Sequence, residues 1–174
     1  RARPLTYASG GPGTSTHLAA ELFKSMTGVE IVHIPYRGSA PAMTDVMGGH
    51  VDLMFEGGGI NYVRDGKVRG LAVTSLKRSV NAPNMPTMNE AGVAGYEAAI
   101  WFGIVAPSGT PRFAIEKLSK EVAAILQLPE SRDYLIKQAS EPLVSTPEQV
   151  NALIREDIAR YAQIIKAANV RAEQ

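Results

Sequence analysis

Cysteine is absent from all 174 residues, which excludes disulfides, thiolate metal sites and cysteine nucleophiles together. An excess of charge of either sign is also missing. Eighteen Lys and Arg face seventeen Asp and Glu, a net charge of +1, and no basic run is longer than Lys77-Arg78. Such a balance gives no electrostatic footprint for nucleic acid or an anionic membrane, so no nucleic-acid partner is expected. Long apolar runs are lacking too: Ala98–Phe102 reaches five residues, against about 20 for a spanning helix. Histidine occurs only at positions 17, 33 and 50, so the His-x-x-x-His spacing of a zinc site is absent and no metal is expected. Apolar residues at 45% and charged residues at 20% are an ordinary globular composition. No signal peptide is visible. The chain opens at Arg1 without methionine, so an upstream portion is expected.

What is present is an alternation of strand and helix signals. Leu5–Ala8 reads as a strand, and Ser9-Gly10-Gly11-Pro12-Gly13 breaks it. Thr14, Ser15 and Thr16 offer adjacent N-caps for a helix carrying Leu18, Ala19, Leu22, Phe23 and Met26, stopped by Gly28. Ile31–Ile34 is a second strand. Ser39-Ala40-Pro41 starts a second helix with Ser39 as its cap and an inward stripe of Ala42, Met43, Val46 and Met47. Val51–Phe55 and Leu71–Thr74 read as further strands, with a short helix between Ile60 and Asp65. Strands separated by helices at this spacing predict a parallel sheet, and the fold class is α/β.

The second part of the chain has another character. Thr87-Met88-Asn89-Glu90 reads as a capping box on a short helix, and Tyr96–Ala106 is the most strand-like run, holding the lone tryptophan, Trp101. Helices follow from Thr110-Pro111, around Arg132–Gln138, and from the capping box Thr146-Pro147-Glu148-Gln149. Their apolar stripes need a sheet to cover, and one strand is not a sheet. A preceding segment, or a second copy in a dimer, is therefore expected to complete this part.

Three loops carry chemistry. The run Gly13-Thr14-Ser15-Thr16 leaves a strand and opens a helix, a setting that offers backbone N–H groups, hydroxyls and a positive helix end to an anion. It lacks the lysine of a Walker loop and the full Gly-x-Gly-x-x-Gly of a dinucleotide fold, so no cofactor is expected. Arg37-Gly38-Ser39-Ala40 repeats the arrangement at the same sheet edge, where open α/β sheets bind ligands, and Arg37 can engage a carboxylate bidentately. Taken alone, Arg37 reads first as a solvated surface residue; two capped loops on one edge favour the site. Glu56, followed by Gly57-Gly58-Gly59, reaches that edge from the third strand; an exposed strand-end carboxylate is the competing reading. No Gly-x-Ser-x-Gly is present, the histidines read as structural, and catalysis has no positive support.

These residues resemble a known family. Leu5-Thr6-Tyr7-Ala8-Ser9, Gly13-Thr14-Ser15-Thr16-His17-Leu18-Ala19 and Val32-His33-Ile34-Pro35-Tyr36-Arg37-Gly38-Ser39-Ala40-Pro41-Ala42 are similar to segments of the solute-binding proteins of tripartite tricarboxylate transporters, the Bug-type receptors. Gly49–Phe55, Leu71–Thr74, Trp101-Phe102-Gly103 and Ala106–Pro111 continue the likeness in family order. The resemblance implies a periplasmic two-lobed receptor that closes on a small carboxylate and presents it to integral-membrane permease subunits. It implies that residues 1–98 form the second lobe and that 99–174, a crossover strand and helices, complete a first lobe present only in part. By position it carries ligand contacts onto Gly13, Thr14, Ser15, Thr16, Arg37, Gly38, Ser39 and Ala40. At Glu56 the sequence departs from the family's aspartate–asparagine pair and is about two residues shorter before Gly66-Lys67. The rival readings are an effector-binding domain of a transcription regulator, an enzyme acting on a carboxylate through Ser39 or His17, and an inert fragment.

Overall fold

The structure, a computed structural model, describes residues 3–168 and 170. It divides into two compact units: one of the residues up to Ile100 together with those from Arg160 onward, the other Trp101–Ala159.

In the first unit, β1 (Leu5–Ser9), β2 (Ile31–Pro35) and β3 (Leu53–Met54) form a parallel sheet in the order β2-β1-β3. Leu5 pairs with Ile31 and Tyr7 with Leu53. The chain moves from the central strand to one side through α1 (Ser15–Thr27), then across to the other side through α2 (Ser39–Met47). Right-handed crossovers in opposite directions put the two helices on opposite faces. Side chains of successive strand residues alternate between faces, and the clusters follow this period. Leu5, Tyr7, Ile31, Leu53 and Phe55 meet Ala20 and Phe23 of α1. Ala8, Ile34 and Met54 meet Ala42 and Val46 of α2, with Val51. Tyr7 and Ala8 are wholly buried, so the central strand is the middle of the core. Complete burial of one such aromatic side chain contributes about 1.5–3 kcal/mol.

Local signals account for the element ends. Gly28 stops α1 at φ 69°, a conformation that L side chains resist, and its N–H closes on Lys24 O at 2.8 Å. The short helix is α3 (Gly59–Arg64). Met26 and Met47, expected to point inward, are exposed because each lies in the last turn of its helix, beyond the edge of a sheet only three strands wide.

Two expected strands are absent from the ladders. Leu71–Thr74 is reduced to one parallel bridge between Val73 and Thr87. Tyr96–Ala106 pairs with no strand among the described residues. Its first part is pinned by one side-chain and one backbone bond instead: Tyr96 OH donates to Ala19 O at 2.8 Å, and Ala98 N–H donates to Thr74 O at 3.0 Å. β-propensity requires a partner to become a strand, and Phe102, Ile104 and Val105 are exposed. The Thr87–Glu90 box forms both its bonds, Thr87 N–H to Glu90 Oε2 at 2.9 Å and Glu90 N–H to Thr87 Oγ1 at 3.1 Å, yet closes turns rather than a helix.

In the second unit, α4 (Arg112–Gln127) and α5 (Pro129–Lys137) precede α6 (Pro147–Ala167), whose first part belongs here. The Thr146 box starts α6: Thr146 N–H donates to Gln149 Oε1 at 2.8 Å and Gln149 N–H to Thr146 Oγ1 at 3.2 Å. Trp101 Nε1–H donates to Asp157 Oδ2 at 2.7 Å. Among the described residues, no helix is long and apolar enough to cross a membrane.

Candidate functional site

Because β1, β2 and β3 run parallel, the loops that leave them share the carboxyl edge of the sheet. The strand order changes direction at β1, so the β1–α1 and β2–α2 loops lead to helices on opposite faces, at the edge where open α/β sheets usually bind ligands. The two loops touch. Tyr36 N–H donates to Ser9 O at 3.0 Å and Gly38 N–H to Gly10 O at 3.1 Å. A Cβ on Gly10 would lie 3.4 Å from Ser39 N, and one on Gly11 would lie 3.2 Å from Tyr36 O. Glycine at 11 is also required by its φ of 125°. These contacts join Ser9–Gly11, just ahead of Gly13–Thr16, to Tyr36–Ser39 of the second loop.

Inside the first loop most donors are already engaged. Gly10 N–H donates to Thr16 Oγ1 at 2.9 Å, Gly11 N–H to Ser9 Oγ at 3.1 Å, and Gly13 N–H to His17 Nδ1 at 3.0 Å. Thr14 Oγ1 donates to Gly11 O at 2.7 Å and lies 3.0 Å from Thr16 Oγ1, so the proton between the two threonines comes from Thr16. Thr14 is the N-cap of α1 by backbone conformation, but its side chain does not cap. The first-turn N–H groups of Ser15, Thr16 and His17 consequently have no acceptor among the described residues, and they stand at the positive end of a 13-residue helix.

The second loop is simpler. α2 is capped by Gly38 at φ 112°, not by Ser39 as expected. A left-handed glycine lets the backbone enter the helix one residue earlier, so Ser39 is its first residue. Ser39 and Ala40 are exposed, and Ser39 Oγ makes no hydrogen bond among the described residues. Arg37 is exposed without an ion pair there. Glu56 stands at the end of β3. Its Oε1 accepts Gly58 N–H at 3.3 Å, while Oε2 is buried with no protein hydrogen bond. Among the described residues no hydrogen bond or ion pair joins its carboxylate to the other two loops. A buried carboxylate oxygen of this kind is an acceptor for a donor from outside the chain.

The histidines hold more of the site than the sequence indicated. His17 is buried and His33 half-buried beside the first loop, and loss of solvent lowers both below the ordinary imidazole value, His33 to about 4. Glu21 nearby is held below the usual carboxylate range: burial alone would raise it, but bonds from Lys24 and Tyr7 outweigh that. The i,i+4 spacing of Gly13 and His17 across a helix start was the only sequence signal for this grip. No group of three metal-ligating side chains occurs among the described residues.

Anion-ready helix starts in contact at the carboxyl edge of a parallel sheet define a solute-binding class of site. The family model for the tripartite tricarboxylate transporter family receptor matches residues 1–170, and the chain belongs to that family. It is 35% identical over 170 residues to Protein BugT of Bordetella pertussis, covering 95% of this chain and 52% of that protein. Among solved structures it is similar to "R. palustris Rpa4515 with adipate", with TM-score 0.84 and 38% identity over 98% of this chain and 58% of that one. It is also similar to MatC from Rhodopseudomonas palustris with bound malate, with TM-score 0.77 and 28% identity over 92% of this chain and 56% of that one. The chain thus spans about half the length of the curated relatives it matches. Its fold class is the α/β fold of periplasmic binding proteins, one lobe being partial.

Proposed function

We propose that this chain is the ligand-gripping part of an extracytoplasmic receptor that captures a small di- or tricarboxylate without covalent chemistry. In this reading the receptor works in the periplasm and delivers its solute to the permease subunits of a tripartite tricarboxylate transporter. Residues 1–98 are the second lobe, and 99–174 contribute to the first.

The observation that carries the reading is the pair of touching loops at one sheet edge. The Ser15, Thr16 and His17 amides of α1 and the Ser39 and Ala40 amides of α2 stand there without acceptors among the described residues. A carboxylate is held by these amides, by the hydroxyls of Ser15 and Ser39, and by Arg37. Gly13, Thr14, Gly38 and Thr16 shape the cradle, since their donors or backbone angles serve the loops themselves. Glu56 Oε2 accepts from a hydroxyl or amine on the solute or from a bridging water. Similarity to proteins solved with adipate and with malate supports the choice of carboxylate.

Thermal unfolding in the presence of adipate, malate, citrate, acidic amino acids and aromatic carboxylates tests this. A ligand at 100 times its Kd adds about 2.7 kcal/mol, and Tm rises by a few degrees. Ser39→Ala weakens that binding by about 0.5–1.5 kcal/mol. A cooperative melt that no carboxylate shifts would overturn the proposal.

A further inference from the structure

Under the β1–α1 loop, side chains from three elements form one aromatic cluster. The ring of His33 of β2 is near-parallel to Tyr7 of β1, at 4.8 Å and 13°, and to His17 of α1, at 4.1 Å and 9°; Tyr7 and His17 are 6.3 Å apart, so the three rings form a triangle. On one side of the cluster, Glu21 Oε1 accepts Tyr7 OH at 2.6 Å and Lys24 Nζ at 2.7 Å, and stands 3.9 Å from His17 Nε2. Toward the loop, His17 Nδ1 accepts Gly13 N–H, and His33 Nε2 lies 2.6 Å from Ser9 Oγ, which accepts Gly11 N–H. The Gly11 and Gly13 amides of the anion loop are thus both tied, directly or through one hydroxyl, to a stacked imidazole.

We propose that His17 is the positioning residue of the ligand loop: as a neutral imidazole it fixes Gly13 and so aims the free first-turn amides of α1, and protonation of its Nδ1 releases them. The effect on binding rests on the carboxylate reading above; the grip on the loop does not.

The chemistry is a matter of one lone pair. Nδ1 either accepts the Gly13 N–H or carries a proton, and it cannot do both. Accepting makes Nε2 the protonated nitrogen, directed toward Glu21. The groups facing the imidazole are Tyr7 and Ser9 from β1, His33 from β2, and Glu21 and Lys24 from its own helix. Glu21 favours an imidazolium, but it is already engaged by Tyr7 and Lys24. Lys24 and a stacked His33 oppose a second positive charge, and burial opposes it most. Near neutral pH the cluster is therefore uncharged and the loop is held. In acid the first imidazole to take a proton lets go.

Two measurements test this. In the ligand-free 174-residue chain, ¹⁵N NMR of the histidines at pH 7.5 should find His17 protonated on Nε2, with the Gly13 amide protected from exchange. Acid should change both signals together. An Nδ1–H tautomer, or a Gly13 amide exchanging like a free loop glycine, would overturn the proposal whether or not a ligand binds. In the second measurement, adipate is titrated against wild type, His17→Asn, whose Oδ1 takes the place of Nδ1 without titrating, and His17→Leu. At pH 7.5 the asparagine variant should bind within about threefold of wild type, and the leucine variant about threefold to tenfold more weakly. From pH 7.5 to 4.5, wild-type affinity should fall relative to His17→Asn, a ratio from which the ligand's own titration cancels. A flat ratio would overturn the proposal. Should His17→Leu not fold, the wild-type and asparagine pair still decides. Should adipate bind to none of the proteins, the titration uses whichever carboxylate shifts the melt, and should none do so the carboxylate reading fails and the NMR result alone decides on His17.

Discussion

The two compact units are built from equally apolar stretches but bury them very differently. In the first, Tyr7, Ala8, Ala20, Ala42 and Tyr96 are sealed between a sheet and the elements packed on it. In Trp101–Ala159, by contrast, none of the apolar residues is fully buried among the described residues, and Phe102, Phe113, Leu118 and Ile125 are largely exposed. Helix periodicity is present in both. The difference is the sheet: a helix stripe gains burial only against a complementary layer, and three strands supply that layer to α1 and α2. The second unit shows instead a local capping box at Thr146 and one long-range side-chain bond, from Trp101 to Asp157. Polar groups show the same contrast: Tyr7, Glu21 and Lys24 make a buried network below the first loop, while Arg112 and Glu116 pair on the open surface of α4.

Four experiments would break or sharpen this contrast. The largest effect is expected from Tyr7→Ala, which opens a cavity at a fully buried site and removes a donor from Glu21; chemical denaturation should show a loss of about 3–5 kcal/mol. A loss under 1 kcal/mol would mean that the sheet is not the centre of stability.

Acid should come next, acting on the first unit. His17 and His33 are depressed in the folded chain, so on acidification the unfolded chain takes up protons first, from about pH 6.5 downward, and stability falls toward pH 4. Glu21, also depressed, adds to the loss in the lower part of that window, below about pH 4.5. Unfolding free energies at pH 7.5 and 4.5 should differ by about 2–3 kcal/mol from the histidines, and His33→Asn should flatten the dependence.

In the second unit Thr146→Ala removes an N-cap and should reduce stability by about 1 kcal/mol, with loss of helicity read by circular dichroism from the start of α6. The smallest effect belongs to Phe102→Ala. At 89% exposure the ring has little burial to lose, and the change should stay within about 0.5 kcal/mol. A larger loss would mean that this ring is covered in solution.

Much of the first unit was legible because its signals are local and agree with one another. The β-prone run Leu5–Ala8, the break at Ser9–Gly13 and the stop at Gly28 each reflect backbone chemistry that operates without tertiary context. The expected strand at Tyr96–Ala106 failed for the opposite reason. Its composition suits a strand, but hydrogen bonding of a strand is a property of two segments, and the described chain offers no second one. Ser39 as a cap failed more narrowly, because the residue before it is a glycine able to adopt φ 112° and take the cap position itself. In the candidate site, the residue types at Thr14–Thr16 and Arg37–Ala40 signalled loops suited to an anion. Which of their donors remain free was invisible, since that depends on who accepts the Gly10, Gly11 and Gly13 amides.

By itself the sequence determined the alternation of strands and helices, the α/β class, the balance of charge and the residues that start and stop most helices, all of which follow from short-range sterics and periodicity. Tertiary structure alone decided the strand order β2-β1-β3, the contact between the two ligand loops and the cluster of Tyr7, His33 and His17. Those features join residues up to 46 positions apart, such as Tyr7 and Leu53. Their energies arise from burial and hydrogen bonds that exist only once the sheet has assembled.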